Sequence, residues 1–427
     1  MKSAIAKKLL TLILMTVATL VVAEDHNMVA NTMLSPAERR IAEARKVIDK
    51  KPAQYAGYNL LAMALSRRAR ETSDVNFYAQ AEDALKKSFE LAPQNLDGEK
   101  IRVWLLLGRH EFATARDAAT ALNQRVPDDV LVYGFLTDAN AELGNYDEAE
   151  KAAQWMLDLR PGNLPGITRA AYLRELFGDL DGALELMGMA YQSTPPTEVE
   201  DRAWILTQMG HLQLSSGKTA AAESLLQEAL AKFPGYHYAL GNLAKVRISQ
   251  DRYSEAVALL QQRYQAAPHA ENLYDLAEAL ELSGHSDEAK KAFEEFETKS
   301  LQESVRADNS NRELIFYYAD HAHQPAKALS VARQEFARRH DVYTLDAYAR
   351  ALHVNGQNAE ARKQIEAALS VGIRDAKMLR HAGEIALQLG DRGAAQRYLQ
   401  ESASVNAPGS DRARVILTSL TQLQPKR

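Results

Sequence analysis

Prolines recur along the chain with a period of 34 residues, and this period constrains the fold more than any other feature. Steps of 34 residues separate Pro93, Pro127, Pro161 and Pro195, and also Pro234 and Pro268. The one longer step, from Pro195 to Pro234, corresponds to a unit with five added residues. A repeat of this length is typical of units that pack only on their neighbours. We therefore expect one continuous solenoid along most of the 427 residues rather than several globular domains.

Each unit has the pattern of two helices joined by a tight turn, and residues 127–160 show it most clearly. Asp128 and Asp129 follow the proline, where negative charge favours the start of a helix. Gly144 ends the first helix, because glycine adopts the left-handed conformation of a helix C-terminus without steric cost. In the second helix, Ala149 and Ala153 are small enough for the two helices to approach closely.

The same two signals recur from unit to unit. Turn glycines occur at Gly108, Gly144, Gly178, Gly217, Gly284, Gly356 and Gly390. The alanine of the second helix occurs at Ala81, Ala115, Ala149, Ala183, Ala222, Ala256, Ala289, Ala328, Ala361 and Ala395. This pattern resembles the tetratricopeptide repeat family and covers roughly residues 52–407. The resemblance implies an all-α, right-handed α-solenoid of about ten helix-turn-helix units with capping helices at both ends.

Four units depart from the pattern. The first is seven residues longer than the period, and we expect a projecting loop at Arg67–Asn76. Gln250-Asp251 and Gln324-Pro325 stand where other units have a glycine turn. The segment Lys299–Asn311 is polar and irregular, which predicts a longer helix or a break in the stack.

The N-terminus carries the features of a secretory signal peptide. Three lysines within Met1–Lys8 precede the apolar run Leu9–Ala23, which is too short for a typical spanning helix, so we expect cleavage after Ala23. An uncleaved anchor is the alternative, and both place the repeats outside the cytoplasm, in a secreted or periplasmic protein. The predicted boundaries are a signal peptide at 1–23, a tether and capping helix at 24–51, repeats at 52–302, C-terminal repeats at 303–407, and a capping helix and tail at 408–427.

Charge and composition exclude several function classes. The net charge of −5 offers no footprint for nucleic acid, and the absence of cysteine excludes disulfides and thiolate chemistry. Neither a metalloprotease motif, a nucleophile elbow nor a phosphate-binding glycine loop occurs, so we expect no enzyme and no cofactor. His321 with His323, and Glu294, Glu295 and Glu297, are interpreted as solvated side chains rather than metal ligands.

In the resembled family the first helices line the concave surface, and its ninth position predicts a row of partner-binding residues. This row is Trp104, Asp138, Tyr172, His211, Lys245, Glu278, Tyr317, Arg350 and Glu384. A row of mixed charge and aromatic rings suits a protein partner. For the first-helix aromatics, which also include Trp204, Tyr238, Tyr274 and Tyr348, packing between repeats remains an alternative. The leading hypothesis is a non-catalytic scaffold or assembly factor of the cell envelope; the alternative is a membrane-tethered accessory subunit of a secretion or maturation complex.

Overall fold

The computed structural model describes residues 34–304, 306, 309–404 and 410–422. Within these ranges the chain forms 22 α-helices and no strand. The helices are α1 Pro36–Lys50, α2 Tyr55–Thr72, α3 Asn76–Leu91, α4 Leu96–Gly108, α5 Phe112–Arg125, α6 Val130–Glu142, α7 Tyr146–Leu159, α8 Leu164–Leu176, α9 Leu180–Ser193, α10 Val199–Ser215, α11 Thr219–Lys232, α12 His237–Ser249, α13 Tyr253–Ala266, α14 Ala270–Leu282, α15 Ser286–Glu303, α16 Asn311–Phe316, α17 Pro325–Phe336, α18 Val342–Val354, α19 Asn358–Ser370, α20 Ala376–Gln388, α21 Arg392–Ser404 and α22 Ser410–Gln422.

Consecutive helices pack against each other along the whole described chain, which makes an α-solenoid. Ten hairpins, from α2–α3 to α20–α21, form the repeats, with α1 and α22 at the two ends. The predicted fold class is therefore confirmed. No helix among the described residues is long and apolar enough to cross a membrane. The proposed signal peptide lies outside the described residues.

The second-helix alanines are the points of closest helix approach. All ten are buried, nine of them completely and Ala289 at 3% exposure. A larger side chain at such a position would push the two helices of the hairpin apart, which typically costs about 1–3 kcal/mol. The alanine pattern therefore reports packing within each hairpin, as the sequence predicts.

Four hairpin turns use a residue other than glycine in the left-handed conformation. Gly108 belongs to helix α4, and His110 (φ 59°) takes the left-handed position, so the predicted glycine turn there is wrong. Ser73 (φ 54°), Asp251 (φ 57°) and His323 (φ 52°) fill the same role where glycine is missing. Aspartate and histidine are among the side chains that visit this region most readily, so the turn geometry survives the substitution.

The predicted loop at Arg67–Asn76 is wrong, because α2 continues through Thr72 and leaves only residues 73–75 as a turn. Hydrogen bonds to the carboxylate of Glu71 stabilise this additional turn of helix. Glu71 accepts hydrogen bonds from Ser35 Oγ (2.6 Å), the backbone N–H of Ala37 (3.0 Å) and Arg68 (3.0 Å). The extra residues of the first unit therefore form contacts to the capping helix instead of projecting.

Of the two forms predicted for Lys299–Asn311, a longer helix or a break in the stack, the structure shows the longer helix. Helix α15 continues to Glu303, and the described residues between it and α16, namely 304, 306, 309 and 310, are not helical. Helix α16 is short and passes into a π-helical turn at Tyr317–His321. Pro325 occupies the first turn of α17, where a missing N–H has no cost.

The solenoid coils far enough for distant parts of the chain to touch. Near the N-terminus, Arg40 contacts Glu198 (2.6 Å), Arg70 contacts Asp201 (2.8 Å) and Glu200, and Arg67 lies 3.6 Å from Asp201. We name this set of ion pairs the N-terminal clasp. The clasp joins α1 and α2 to α10, so the concave side is enclosed by protein at this level.

A second long-range contact brings backbone against backbone, and we name it the glycine clasp. A Cβ atom on Gly144 would lie 2.5 Å from the carbonyl oxygen of His340, and one on Gly178 would lie 2.5 Å from that of Gly372. Beside them the hydroxyl of Tyr146 accepts the Val342 N–H at 2.9 Å. The turns of the third and fourth hairpins therefore rest directly on loops of the C-terminal repeats.

Candidate partner-binding channel

Three cavities lie along the enclosed concave side and are lined mainly by first helices. The N-terminal cavity, of about 440 Å³, is bounded by α2, α4, α10, α12 and α14 and carries Trp104, Trp204 and Tyr238. The middle cavity, of about 320 Å³, carries Tyr172, Arg312 and Arg339. The C-terminal cavity, of about 480 Å³, carries Lys245, Glu278, His321 and Lys377. The first two share the lining residues Leu107, His110 and Asp138, so they lie next to each other.

The N-terminal cavity combines aromatic walls with charged groups that are already paired. Trp104 is held edge-on against Phe135, with ring centroids 6.4 Å apart. Arg263 pairs with Asp275 and lies 3.6 Å from Glu271. Because each charge has a partner of opposite sign, the cavity presents ring faces and hydrogen-bonding atoms rather than net charge.

The middle cavity contains a carboxyl group whose ionisation is disfavoured. Glu142 lies 3.5 Å from Arg339, a contact between α6 and the C-terminal repeats. Burial and the nearby Asp341 carboxylate together raise the pKa of Glu142 to about 7, against the opposing effect of Arg339. Burial likewise raises the pKa of Asp138, in spite of its ion pair with Arg169. These groups hold protons more tightly than exposed carboxyls do.

The C-terminal cavity corrects the interpretation of His321 as a solvated side chain. His321 lies 3.0 Å from Glu281 and 3.5 Å from Glu278, and its ring packs on Phe293 at 4.4 Å between centroids. Burial lowers its pKa, but the carboxylates of Glu278, Glu281 and Asp320 together outweigh burial, and the pKa is raised overall. Among the described residues no group of three or more metal-ligating side chains is assembled.

The carboxylates of α15 mostly follow the expectation of a solvated face. Glu294 and Glu295 are exposed, as predicted. Glu297 is half-buried and accepts a hydrogen bond from the Tyr318 hydroxyl at 2.7 Å. Its role is therefore to tie α15 to the π-helical turn.

The structure divides the predicted row of nine residues into two sets. Five line the cavities: Trp104, Asp138, Tyr172, Lys245 and Glu278. The other four are His211, Tyr317, Arg350 and Glu384. Whether any of the nine contacts a partner remains a prediction.

The four residues outside the cavity walls have partners within the chain. His211 lies 2.7 Å from Glu175, and Tyr317 is buried against Phe293. Arg350 is buried and bridges Asp320 (2.8 Å) and Glu384 (2.7 Å), which links three successive hairpins. These contacts join neighbouring repeats. They leave little of Tyr317, Arg350 and Glu384 for a partner, whereas the His211 side chain stays 33% exposed.

The two interpretations of the first-helix aromatics both apply, to different residues. Trp104, Trp204 and Tyr238 line the N-terminal cavity. Tyr274 is buried in the core, and Tyr348 is half-buried with its ring 4.8 Å from that of Phe336. Some aromatics line a cavity and others are buried because the solenoid coils and brings distant repeats together. The 34-residue period does not reveal which repeats meet.

Several lining residues were not predicted from the sequence. His237, Arg263 and Asn272 all line the N-terminal cavity, and each lies outside the ninth position of its unit. Arg263 comes from a second helix and reaches the cavity by lying along Gly241, where a Cβ atom would be 2.9 Å from its guanidinium. The missing side chain at Gly241 is the sequence signal that could have indicated this approach.

The hairpins and the cavities between them define a helical-repeat solenoid with an internal surface. Two segments, residues 102–163 and 213–271, match the family description "Tetratricopeptide repeat". The remaining hairpins continue the same architecture, so the described chain is an α-solenoid that contains tetratricopeptide repeats.

Several solved structures are similar to this chain at low sequence identity. A monomeric mutant of IFIT1 with Gppp-AAAA is 12% identical, with a TM-score of 0.50 over 87% of this chain and 95% of that one. A tetratricopeptide repeat protein from Parabacteroides merdae is 19% identical, with a TM-score of 0.35 over 60% of this chain and 97% of that one. PilW, a type IV pilus biogenesis factor, is 14% identical, with a TM-score of 0.41 over 48% and 93%. Among curated proteins no sequence relative was found.

Proposed function

We propose that this chain is a non-catalytic protein-interaction scaffold, exported to the periplasm or secreted, which assists assembly of a cell-envelope complex. The observation that carries the proposal is the channel, whose walls offer aromatic faces and paired polar groups from many hairpins. Such a wall suits an extended peptide segment, which needs apolar pockets and hydrogen bonds along its length. Export is supported by the basic N-terminus followed by Leu9–Ala23.

The mechanism is docking into a preformed surface. The clasps and the inter-repeat ion pairs fix the channel before a partner arrives, so little ordering of the scaffold accompanies binding. Specificity comes from the alternation of aromatic and polar patches between the N-terminal and C-terminal cavities.

Capture of a partner from envelope extracts tests this function. Trp204→Ala and Lys245→Ala change the walls of two separate cavities, and each is expected to reduce capture. Trp155→Ala is the matched control, because Trp155 is 53% exposed on the second helix α7 and lines none of the three cavities. Equal loss in the control, or no loss in either channel variant with helical circular dichroism preserved, would contradict binding in the channel.

The alternative, a membrane-tethered accessory subunit, differs only in the fate of the N-terminus. Mass spectrometry of the protein from the envelope fraction distinguishes the two. A mature chain that begins at Glu24 supports export with cleavage, and a chain that retains residues 1–23 supports the tether.

A further inference from the structure

The edge of the solenoid at which α1 ends and α2 begins is rich in basic side chains. Residues 45–55 and 86–91 contain six basic and two acidic side chains, whereas the whole chain has 51 basic and 56 acidic ones. Of the two carboxylates, Asp49 is exposed and Glu90 pairs with Lys87 at 2.8 Å. The other five cations form no ion pair in the described part of the chain: Arg45, Lys46, Lys50, Lys51 and Lys86. This edge is therefore positive on a chain that is negative overall.

Two contacts place the ends of α1 and α3 beside the beginning of α2. Val47 packs next to Gly57, where an added Cβ atom would lie 3.4 Å from its side chain. The Ser88 hydroxyl donates to Oδ1 of Asn59 at 2.6 Å, which joins the last turns of α3 to the first turns of α2. We name the resulting surface the basic edge, and it consists of Val47, Lys50, Lys51, Tyr55, Lys87 and Leu91.

The basic edge also exposes apolar side chains. Val47, Tyr55 and Leu91 are 38%, 39% and 37% exposed. Within α1, Val47 lies one turn before Lys50 and Lys51, so the three share a face, and the same spacing relates the lysine and the leucine of α3. None of these residues lines any of the three cavities. The edge therefore intersperses cations with apolar groups on a surface apart from the channel.

This combination suits an anionic lipid surface better than a protein. Each lysine near such a surface adds about fivefold in affinity, because the headgroups attract its ammonium group. Tyrosine rings favour the headgroup region, and lysine stems cover apolar surface while their charged ends stay in water. A protein interface instead needs anchor side chains or pockets that exclude water. A second copy of the edge would bring like charges together.

The position of the edge in the chain supports the same partner. Helix α1 begins at Pro36, and residues 24–35 separate it from the run Leu9–Ala23. A segment of this length spans at most about 40 Å. The proposed export segment would therefore bring the basic edge close to a membrane before cleavage.

We propose that the basic edge docks the chain on a membrane surface that contains anionic phospholipid. The lysines provide the attraction, and Val47, Tyr55 and Leu91 settle among the headgroups. This contact is peripheral and does not use residues 1–23, so it differs from the tether considered above. It goes beyond the scaffold function by holding the channel next to the membrane.

Vesicle flotation tests the proposal with the chain that begins at Glu24, so that Leu9–Ala23 makes no contribution. One set of vesicles contains phosphatidylcholine alone, and the other contains phosphatidylcholine mixed with phosphatidylglycerol. We expect binding to the mixed vesicles only, and weaker binding as salt rises, because salt screens exposed charges. Equal binding to both sets, or binding to neither, would overturn the proposal.

A charge-removal variant locates the binding surface. The edge variant combines Lys50→Gln, Lys51→Gln and Lys87→Gln, all at exposed positions where the fold should be unaffected. Its affinity for the mixed vesicles should fall by about 100-fold, the product of the three lysine contributions. Unchanged affinity, with circular dichroism preserved, would mean that another surface binds the lipid and that the proposal is wrong.

A matched control removes the same charge elsewhere. It combines Lys290→Gln, Lys291→Gln and Lys363→Gln, and these lysines are exposed as well. Lys363 pairs with Glu360 at 2.9 Å, as Lys87 pairs with its own glutamate in the edge. The control should bind the mixed vesicles like the parent. An equal loss in both variants would show that only overall charge matters, which contradicts docking through the edge.

A nitroxide label reports whether the edge faces the lipid. The chain has no cysteine, so Tyr55→Cys and Lys291→Cys each carry a single label. On mixed vesicles the label at position 55 should become shielded from a water-soluble nickel chelate, whereas the label at position 291 should stay accessible. A label at position 55 that stays accessible on bound protein would contradict the proposal.

Two further measurements identify other occupants of the edge. A dimer in light scattering that is lost in the edge variant would assign the surface to a second copy. Capture of a protein from a detergent extract by the parent but not by the edge variant, without vesicle binding, would assign it to an acidic protein. Either result contradicts the proposal. Because the edge lies apart from the cavities, loss of capture in Trp204→Ala or Lys245→Ala tests the channel separately.

Discussion

Single turn glycines differ in how closely other parts of the chain pack against them. Gly178 and Gly284 have nearly the same backbone conformation, with φ of 83° and 81°. Space around them differs, since Gly284 has no atom within 4 Å of an added Cβ whereas Gly178 faces the carbonyl of Gly372 at 2.5 Å. The sequence predicts both as turn residues, but it cannot reveal the second role, because the contact comes from a loop far along the chain.

This difference predicts unequal effects of the same substitution. Gly284→Ala should destabilise the fold by about 1–2 kcal/mol, the cost of a left-handed alanine. Gly178→Ala should cost about 1–3 kcal/mol more, because its Cβ must displace the Gly372 backbone. Urea unfolding of the two variants measures the difference. Equal losses would show that the glycine clasp does not form in solution.

Glu142 predicts a dependence of stability on pH. Its pKa is raised from 4.5 to about 7 in the folded state, so between these values the folded chain holds more protons than the unfolded one. The contribution of Glu142 to stability therefore falls as pH rises through this window. Glu142→Gln removes the effect, and its melting temperature should exceed that of the wild type more at pH 8 than at pH 5. Glu288→Gln, on an exposed surface, is the control and should show no such trend.

Among the helices, the capping helix α1 shows which features the neighbouring sequence can predict and which it cannot. Ser35, Pro36 and Glu38 form the predicted start of the helix, and the structure contains the full capping box. The residues around the start of α1 do not reveal that this helix docks onto α2. That docking uses a tertiary contact, in which the Ser35 hydroxyl donates to Glu71 of the next helix at 2.6 Å. The wrong loop prediction for Arg67–Asn76 has the same origin, because the helix there is stabilised by these tertiary contacts.

Ser35 is therefore expected to contribute more than an ordinary helix cap. Loss of an N-cap alone costs about 1 kcal/mol. Ser35→Ala should cost about 2 kcal/mol or more, because the buried Glu71 also loses a donor. Ser35→Thr keeps the hydroxyl and should recover most of the stability in thermal unfolding. A cost near 1 kcal/mol for Ser35→Ala would mean that the bond to Glu71 adds nothing.

At the scale of the whole molecule, the clasps convert an open groove into a channel. The repeat period predicts hairpins, their order and the buried alanines, because these depend on contacts within 34 residues. It does not predict which turns of the solenoid meet. For this reason the predicted row includes Arg350, which is buried in an ion pair, and omits His237, which lines the channel.

The N-terminal clasp depends on charge, so it should open when that charge is reversed. The chain has no cysteine, so spin labels at Lys46→Cys and Thr197→Cys report the separation of α1 and α10 without interference. Glu198→Lys with Asp201→Lys should lengthen and broaden the distance distribution relative to the labelled parent. The same distribution in both proteins would show that the ion pairs do not hold the clasp.

We propose that a protein partner binds inside the channel. Photocrosslinking tests it most directly, with a benzophenone amino acid placed at Trp204 inside the N-terminal cavity or at Trp155 on the outer surface. We predict that position 204 captures a partner peptide. Efficient capture from position 155 and none from position 204 would contradict the account.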